Sequence, residues 1–161
     1  MMSIKKLAHG ASVLVLSLAA LSASAQQRPP YGAGIHLETA KKVGAAAVAE
    51  ARKNSWNLAV AIVDNHGMLV YYEMLDDTQT ASATIALEKA RTSATYRRTT
   101  KELEDGIAGG RVAILGLPGA TPIEGGLPIV VGGKMIGAVG VSGVTSQQDG
   151  VVAKAGVDAL K

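Results

Sequence analysis

The sequence contains no cysteine and no phenylalanine, and only one tryptophan and four tyrosines among its 161 residues. Without cysteine there is no disulfide framework, no thiolate nucleophile and no Cys-ligated zinc or iron–sulfur centre. An oxidising compartment is tolerated, because the chain has no thiol to be oxidised there. With so few aromatics, the core has to be built from Ala, Val, Ile and Leu. Charge of one sign is also scarce, since 16 basic residues stand against 13 acidic ones. No clustered basic face stands out, so the sequence offers no electrostatic footprint for nucleic acid.

The amino end has its own composition. A basic start, "MMSIKK", is followed by the apolar run "ASVLVLSLAALS" and the A-x-A sequence Ala23-Ser24-Ala25. This is the layout of a secretory signal peptide over residues 1–25, and its apolar run is too short for a membrane span. Cleavage after Ala25 leaves 136 residues, and it removes Lys5 and Lys6 with no acid, so the balance falls from +3 to +1. The expectation is a periplasmic or secreted protein with no membrane span after cleavage. Residues 26–35, rich in Pro and Gly, are expected to form a flexible arm before a domain over 36–161.

Within that domain, Leu37, Ala40, Val43, Ala47, Val48 and Ala51 recur at helical spacing over 37–54. "LAVAIVD" (58–64) and "MLVYYEML" (68–75) read as strands around the turn composition Asn65-His66-Gly67. Helical character resumes over 81–96 and again over 100–109. "GRVAILGLPGATPIEGG" (110–126) reads as an irregular loop with room for one short strand. Thr145 and Gln148 form a capping-box pattern that opens a last helix over 145–160.

Between them, residues 124–143 read "EGGLPIVVGGKMIGAVGVSG", seven glycines in twenty residues. A phosphate cradle fails on spacing. Gly137, Gly140 and Gly143 are three apart, which does not fit G-x-G-x-x-G, and Pro128 and Met135 occupy required P-loop positions. The segment reads as a hairpin with its turn at Gly132-Gly133-Lys134. Its strand glycines signal close approach by another backbone or by a flat ligand. The element order is then α-β-β-α-α-β-β-α, an α+β fold with helices covering an antiparallel sheet.

Candidate chemistry is concentrated on the helix over 81–96. Glu88, Thr92, Thr95 and Thr99 recur at i, i+4, i+7 and i+11, with Lys89 and Tyr96 close by. Such a face offers hydroxyls to a ligand. Arg91, Arg97 and Arg98 can hold carboxylates, because guanidinium matches their geometry. The same pattern also describes a solvated face with i,i+4 pairing. His36 and His66 are candidate metal ligands, although a position before a helix and a hairpin turn each account for a polar residue unaided. Asp64 is a candidate base and equally a residue capping its own turn. Ser142 lies in Gly140-Val141-Ser142-Gly143-Val144, which misses the G-x-S-x-G elbow because the second glycine comes too early.

Taken together, "LETAKKVGAAAVAEA", "LAVAIVDNHGMLVYYEMLD", "ALEKARTSATYRRTT" and "GGLPIVVGGKMIGAVGVSGVTSQQDGVVAKAGVDAL" resemble the GlcG/HbpS family of haem-binding-like domains. The likeness covers roughly residues 36–161. It implies a profilin-like or PAS-like domain, a homo-oligomer from dimer to octamer, and in secreted members haem binding. The family's Lys-Ala-x-Thr motif falls on Lys89, Ala90, Arg91 and Thr92. Its aromatic before an Arg-rich segment falls on Tyr96, Arg97, Arg98 and Thr99, with Arg98 where proline is common. Threonine ligation of haem iron in the family makes Thr92 and Thr95 candidates. The E-x-x-E iron motif of one branch has no counterpart beyond Glu102-Leu103-Glu104-Asp105, a departure that argues against iron storage or redox sensing.

The expectation carried forward is a small-molecule ligand, haem or a related tetrapyrrole. It would be held by Lys89, Arg91, Thr92, Thr95, Tyr96, Arg98 and the backbone at Gly140, with His36 or Thr92 at the iron. Two rivals remain. One is an enzyme of 2-hydroxy acid metabolism using Lys89 and Asp64 for proton transfer. The other is a ligand-free accessory oligomer.

Overall fold

A computed structural model of the chain describes residues 28–161. The proposed signal peptide, 1–25, lies outside the described residues. Eight elements follow in the expected order: α1 (Leu37–Lys53), β1 (Ala59–Asp64), β2 (Leu69–Met74), α2 (Ser82–Tyr96), α3 (Thr100–Ala108), β3 (Gly126–Val131), β4 (Lys134–Ser142) and α4 (Ser146–Asp158). In place of a short strand, the loop before β3 contains a 3₁₀ turn, Val112–Gly116. No helix among the described residues is long and apolar enough to cross a membrane.

Both hairpins form where turn chemistry demands them. Asp64 Oδ1 accepts the N–H groups of His66 and Met68 at 2.8 and 2.9 Å, so the carboxylate closes its own turn. Gly132 and Gly133 adopt φ values of 56° and 74°, which a primed two-residue turn requires and side chains resist. The two hairpins then join through their inner strands, giving the antiparallel order β2-β1-β4-β3. β1 and β4 pair from Ala59↔Ser142 to Asp64↔Gly137, partners 83 to 73 residues apart in sequence.

The two faces of this sheet are built differently. One face presents Val60, Ile62, Ile129, Val139 and Val141 to Val43, Val48 and Val152 of α1 and α4, all buried. Burial of each such side chain is worth about 1.5–3 kcal/mol, so this layer carries most of the hydrophobic stabilisation. The opposite face presents Ala59, Ala61 and Ala138 to Ala86, Ala90 and Ala94 of α2. Here small residues let the helix backbone lie close against the sheet.

Capping settles the starts of α3 and α4. Thr99 opens α3 and Thr145 opens α4, each in a reciprocal box with Glu102 or Gln148 three residues on. Thr145→Ala is expected to cost about 1 kcal/mol, read as a lower urea midpoint at unchanged slope.

The arm over 26–35, expected to be flexible, makes backbone contacts with the sheet from residue 30 onward. β1 ends opposite Gly137, which leaves the beginning of β4 without a partner on that side. Residues 30–35 fill the place: Met135 N–H donates to Pro30 O, and Gly32 and Ile35 N–H donate to Met135 and Ile136 O, at 2.8–2.9 Å. The backbone groups that an early end to β1 would orphan are satisfied by the arm.

Candidate functional site

Lys89 sits at the middle of α2 and points into the protein, with 1% of its surface exposed. Its Nζ donates to Asp149 Oδ2 at 2.8 Å and to Val141 O at 3.0 Å. The pair ties α2 to β4 and to the first turn of α4, and Asp149 Oδ1 also accepts the Val144 N–H. Burial pushes the Asp149 carboxyl above its ordinary range, against the opposing pull of Lys89. Lys89 is therefore a structural cation, not a residue that faces a ligand. The ion pair leaves Lys89 buried, away from any substrate that Asp64 would meet. Asp64 pairs with Gly137 while Lys89 reaches Val141, four residues or roughly 13 Å along the strand.

Gly140 was expected to present open backbone to a flat ligand, and the structure overturns that. A Cβ at this position would lie 2.0 Å from Ala86 O and 2.5 Å from Ala90 N. The backbone in close approach is that of α2. β4 is moreover a central strand, so its glycines border no free edge.

The expected hydroxyl stripe is also divided. α2 stops at Tyr96, Arg97 turns left-handed with φ 51°, and Thr99 belongs to the start of α3. Thr92 is fully buried; its hydroxyl accepts the Thr121 N–H at 2.8 Å and donates to Gly119 O at 3.4 Å. Tyr96 Oη donates to Pro118 O at 2.7 Å. Both side chains pin the loop over 117–121 to α2, and Thr95 is the hydroxyl left exposed. Arg91 is engaged by Glu88 at 2.8 Å and by Gly67 O at 3.3 Å.

His36 and Thr92 do not share a metal site. The exposed His36 opens α1, whose buried side lies on the sheet face opposite α2. Among the described residues no group of three or more His, Asp or Glu side chains is placed to hold a metal ion.

What the fold does assemble is an arginine cluster where α2 turns into α3. Arg28, Arg97 and Arg98 line a cleft of about 290 Å³ with Thr99 and Glu102, walled on one side by Leu127, Pro128 and Val130. Arg98 also borders a second cavity of about 250 Å³ with Tyr96, Arg111, Ala113, Ile114 and Leu117. The Nε of Arg98 is buried and has no hydrogen-bond partner. Burial, then the neighbouring Arg28 and Arg111 cations, lower its pKa from the ordinary arginine range, while Glu102 opposes the shift. The described ion pairs occupy Arg52 and Arg91 and engage none of these four arginines. Glu102 meanwhile closes the Thr99 cap. The arrangement is a net cationic corner, only partly offset by Glu102, with an apolar wall, suited to a carboxylate on an apolar body.

Of the residues singled out on the helix face, Tyr96, Arg97, Arg98 and Thr99 line these cavities, while Lys89, Arg91, Thr92, Thr95 and Gly140 do not. Arg28 and Arg111 were missed, because one lies in the Pro-rich arm and the other in the irregular loop. Neither belongs to a periodic pattern that would have marked it.

Comparison with known proteins bears on this geometry. Residues 35–158 match the family model described as haem degrading protein HbpS-like. The chain is 45% identical to Protein GlcG of Escherichia coli K12 over 105 residues, which is 65% of this chain and 78% of that one. The crystal structure of HbpS superposes with a TM-score of 0.75 at 29% identity, covering 81% of this chain and 92% of the other. A PduOC:heme complex gives 0.72 at 25% identity, covering 80% and 96%. The matched segment runs from the end of the arm to the last turn of α4 and contains the whole four-stranded sheet with its helices, so the chain belongs to the HbpS-like family.

Proposed function

We propose that this protein binds haem or a related tetrapyrrole through its carboxylate edge, as an oligomer in the periplasm or secreted. The observation that carries the reading is the buried, unpartnered Nε of Arg98 amid cations with no carboxylate paired to them. A guanidinium left without an acceptor costs free energy that a ligand carboxylate recovers. The family description and the haem-bearing PduOC relative name the same ligand class.

The residues fit such a group in part. Arg98, with Arg97 and Arg111 beside it, would hold propionates, and Leu127, Pro128 and Val130 would meet the apolar ring edge. Both cavities lie at or below the small end of ligand pockets, roughly 300–1,000 Å³, so they suit the rim of a macrocycle and leave its face outside. Thr95, exposed one turn before Arg98, would be the hydroxyl available to iron. A bound haem would supply iron-centred redox chemistry; this chain's own contribution is to orient the edge and neutralise its charge.

Two features support the wider reading. The amino-terminal sequence has the layout of a cleaved leader. The edge strand β2 exposes Leu69, Tyr72 and Met74, with Met68 beside them at 64% exposure, a surface suited to self-association.

A haemin titration of the chain from residue 26, followed by absorbance, tests the proposal. A saturable Soret shift is expected, with affinity falling about tenfold or more in Arg98→Ala and the iron-sensitive bands changing in Thr95→Val. Absence of a saturable shift, or an Arg98→Ala protein that binds like the parent, would refute it.

A further inference from the structure

The arm carries an observation that the ligand reading does not use. Arg28 Nη1 donates to Tyr96 O at 2.7 Å, and Tyr31 Oη donates to Ala94 O and Thr95 O at 2.8 and 3.1 Å. Arg97 returns the contact, donating to Pro29 O at 3.4 Å and lying 5.1 Å from the Tyr31 ring centroid. These bonds satisfy the last carbonyls of α2, which an abrupt left-handed stop at Arg97 would leave bare.

The same docking has an electrostatic cost. It brings the Arg28 cation against Arg98 and Arg97 in a corner where the one carboxylate, Glu102, is committed to the Thr99 cap. Arg28 is second only to burial among the causes that lower the Arg98 pKa, a sign of like-charge repulsion across the cleft. Arg28 and Pro29 nevertheless form one wall of that cleft, and both precede the family-matched segment 35–158. An anion between the guanidiniums would convert the repulsion into attraction and hold the arm down.

We infer that residues 28–31 form a ligand-coupled wall: Arg28 binds a carboxylate-bearing amphiphile together with Arg97 and Arg98, and ligand and arm each stabilise the other. Coupling of this kind is reciprocal, so the factor by which the arm tightens the ligand equals the factor by which the ligand tightens the arm. The carboxylate class rests on the proposed ligand reading, whereas the coupling rests on the arm's own contacts.

The arm has a built-in reporter. The Met135 amide donates to Pro30 O, so its hydrogen exchange tracks docking. Iron-free protoporphyrin IX, which keeps both propionates and removes iron ligation, is the first probe. Arg28→Gln is expected to bind it about tenfold more weakly, and saturating porphyrin should slow Met135 exchange in the parent by a similar factor. Arg28→Lys should restore only part of the affinity, because an ammonium lacks the bidentate fork. A role confined to capping α2 would change Met135 exchange without ligand but leave the response to ligand intact.

Unchanged porphyrin affinity in Arg28→Gln, or Met135 exchange indifferent to bound porphyrin, overturns the coupling and leaves the tetrapyrrole reading standing. If no porphyrin binds, benzoate is the second probe. Slower Met135 exchange with benzoate in the parent, absent in Arg28→Gln, would uphold the coupling while the tetrapyrrole reading fails. Exchange unmoved by benzoate in that case overturns the coupling as well.

Discussion

Lys89→Met is expected to cost about 3–5 kcal/mol of folding stability near neutral pH, the penalty for leaving a buried partner charge uncompensated. Asp149 is 2% exposed and burial already raises its pKa, so without Lys89 it has only the Val144 and Gly143 amides to hold its charge. The double variant Lys89→Met/Asp149→Leu should recover much of the loss, because two apolar groups need no partner. The pH dependence has a definite sign. A carboxyl whose folded pKa is raised favours folding below its ordinary range and loses that contribution as pH rises through the folded value. Removing Lys89 deletes the two largest opposing influences and lifts that value further. The deficit of Lys89→Met should therefore shrink at about pH 5 relative to about pH 8, as Asp149 takes up a proton. Urea unfolding of the three proteins at both pH values measures this. Equal deficits at the two pH values, or a double variant worse than Lys89→Met, would contradict it.

Gly140→Ala is the second large effect, expected to cost about 3 kcal/mol, the upper part of the range for overpacking. The added Cβ meets backbone atoms of α2, at 2.0 Å from Ala86 O, and backbone has no alternative rotamer. Relief requires α2 to lift from the sheet, which strains the Lys89 contacts to Val141 and Asp149 as well. Gly116→Ala is the matched control. Its Cβ would meet nothing within 4 Å, so a change within about 0.5 kcal/mol is expected. Comparable losses at both positions would mean that the close approach of α2 is not the cause, since the unfolded-chain entropy alone favours alanine.

The elements were legible because their signals are local. α1 shows its apolar stripe in Ala40, Val43, Ala47 and Val48, the turn at Gly132-Gly133 names its own geometry, and the Thr145–Gln148 box marks where α4 begins. Family membership was legible for a related reason, since the glycine-bearing hairpin and the Gln-Asp start of α4 are contiguous motifs. The site was less legible. Lys89 and Thr92 stood out as polar residues on an alanine-rich helix, and that pattern describes a buried polar group with distant partners as well as a ligand face. Asp149 lies 60 residues from Lys89, Thr121 29 from Thr92, and nothing near α2 announces either partner.

By itself, the sequence determined the order and type of the elements, the α+β class, the aromatic-poor core and the family, because side-chain period and turn chemistry act over a few residues. Tertiary structure alone decided that β1 and β4 meet at the centre of the sheet, that α2 rather than a ligand occupies the space beside Gly140, and that Arg28 and Arg111 converge on Arg98. Those outcomes depend on contacts between distant segments, where the cost of closing long loops is offset only once all the layers pack together. Which polar groups end with partners inside the chain, and which do not, is settled at that step.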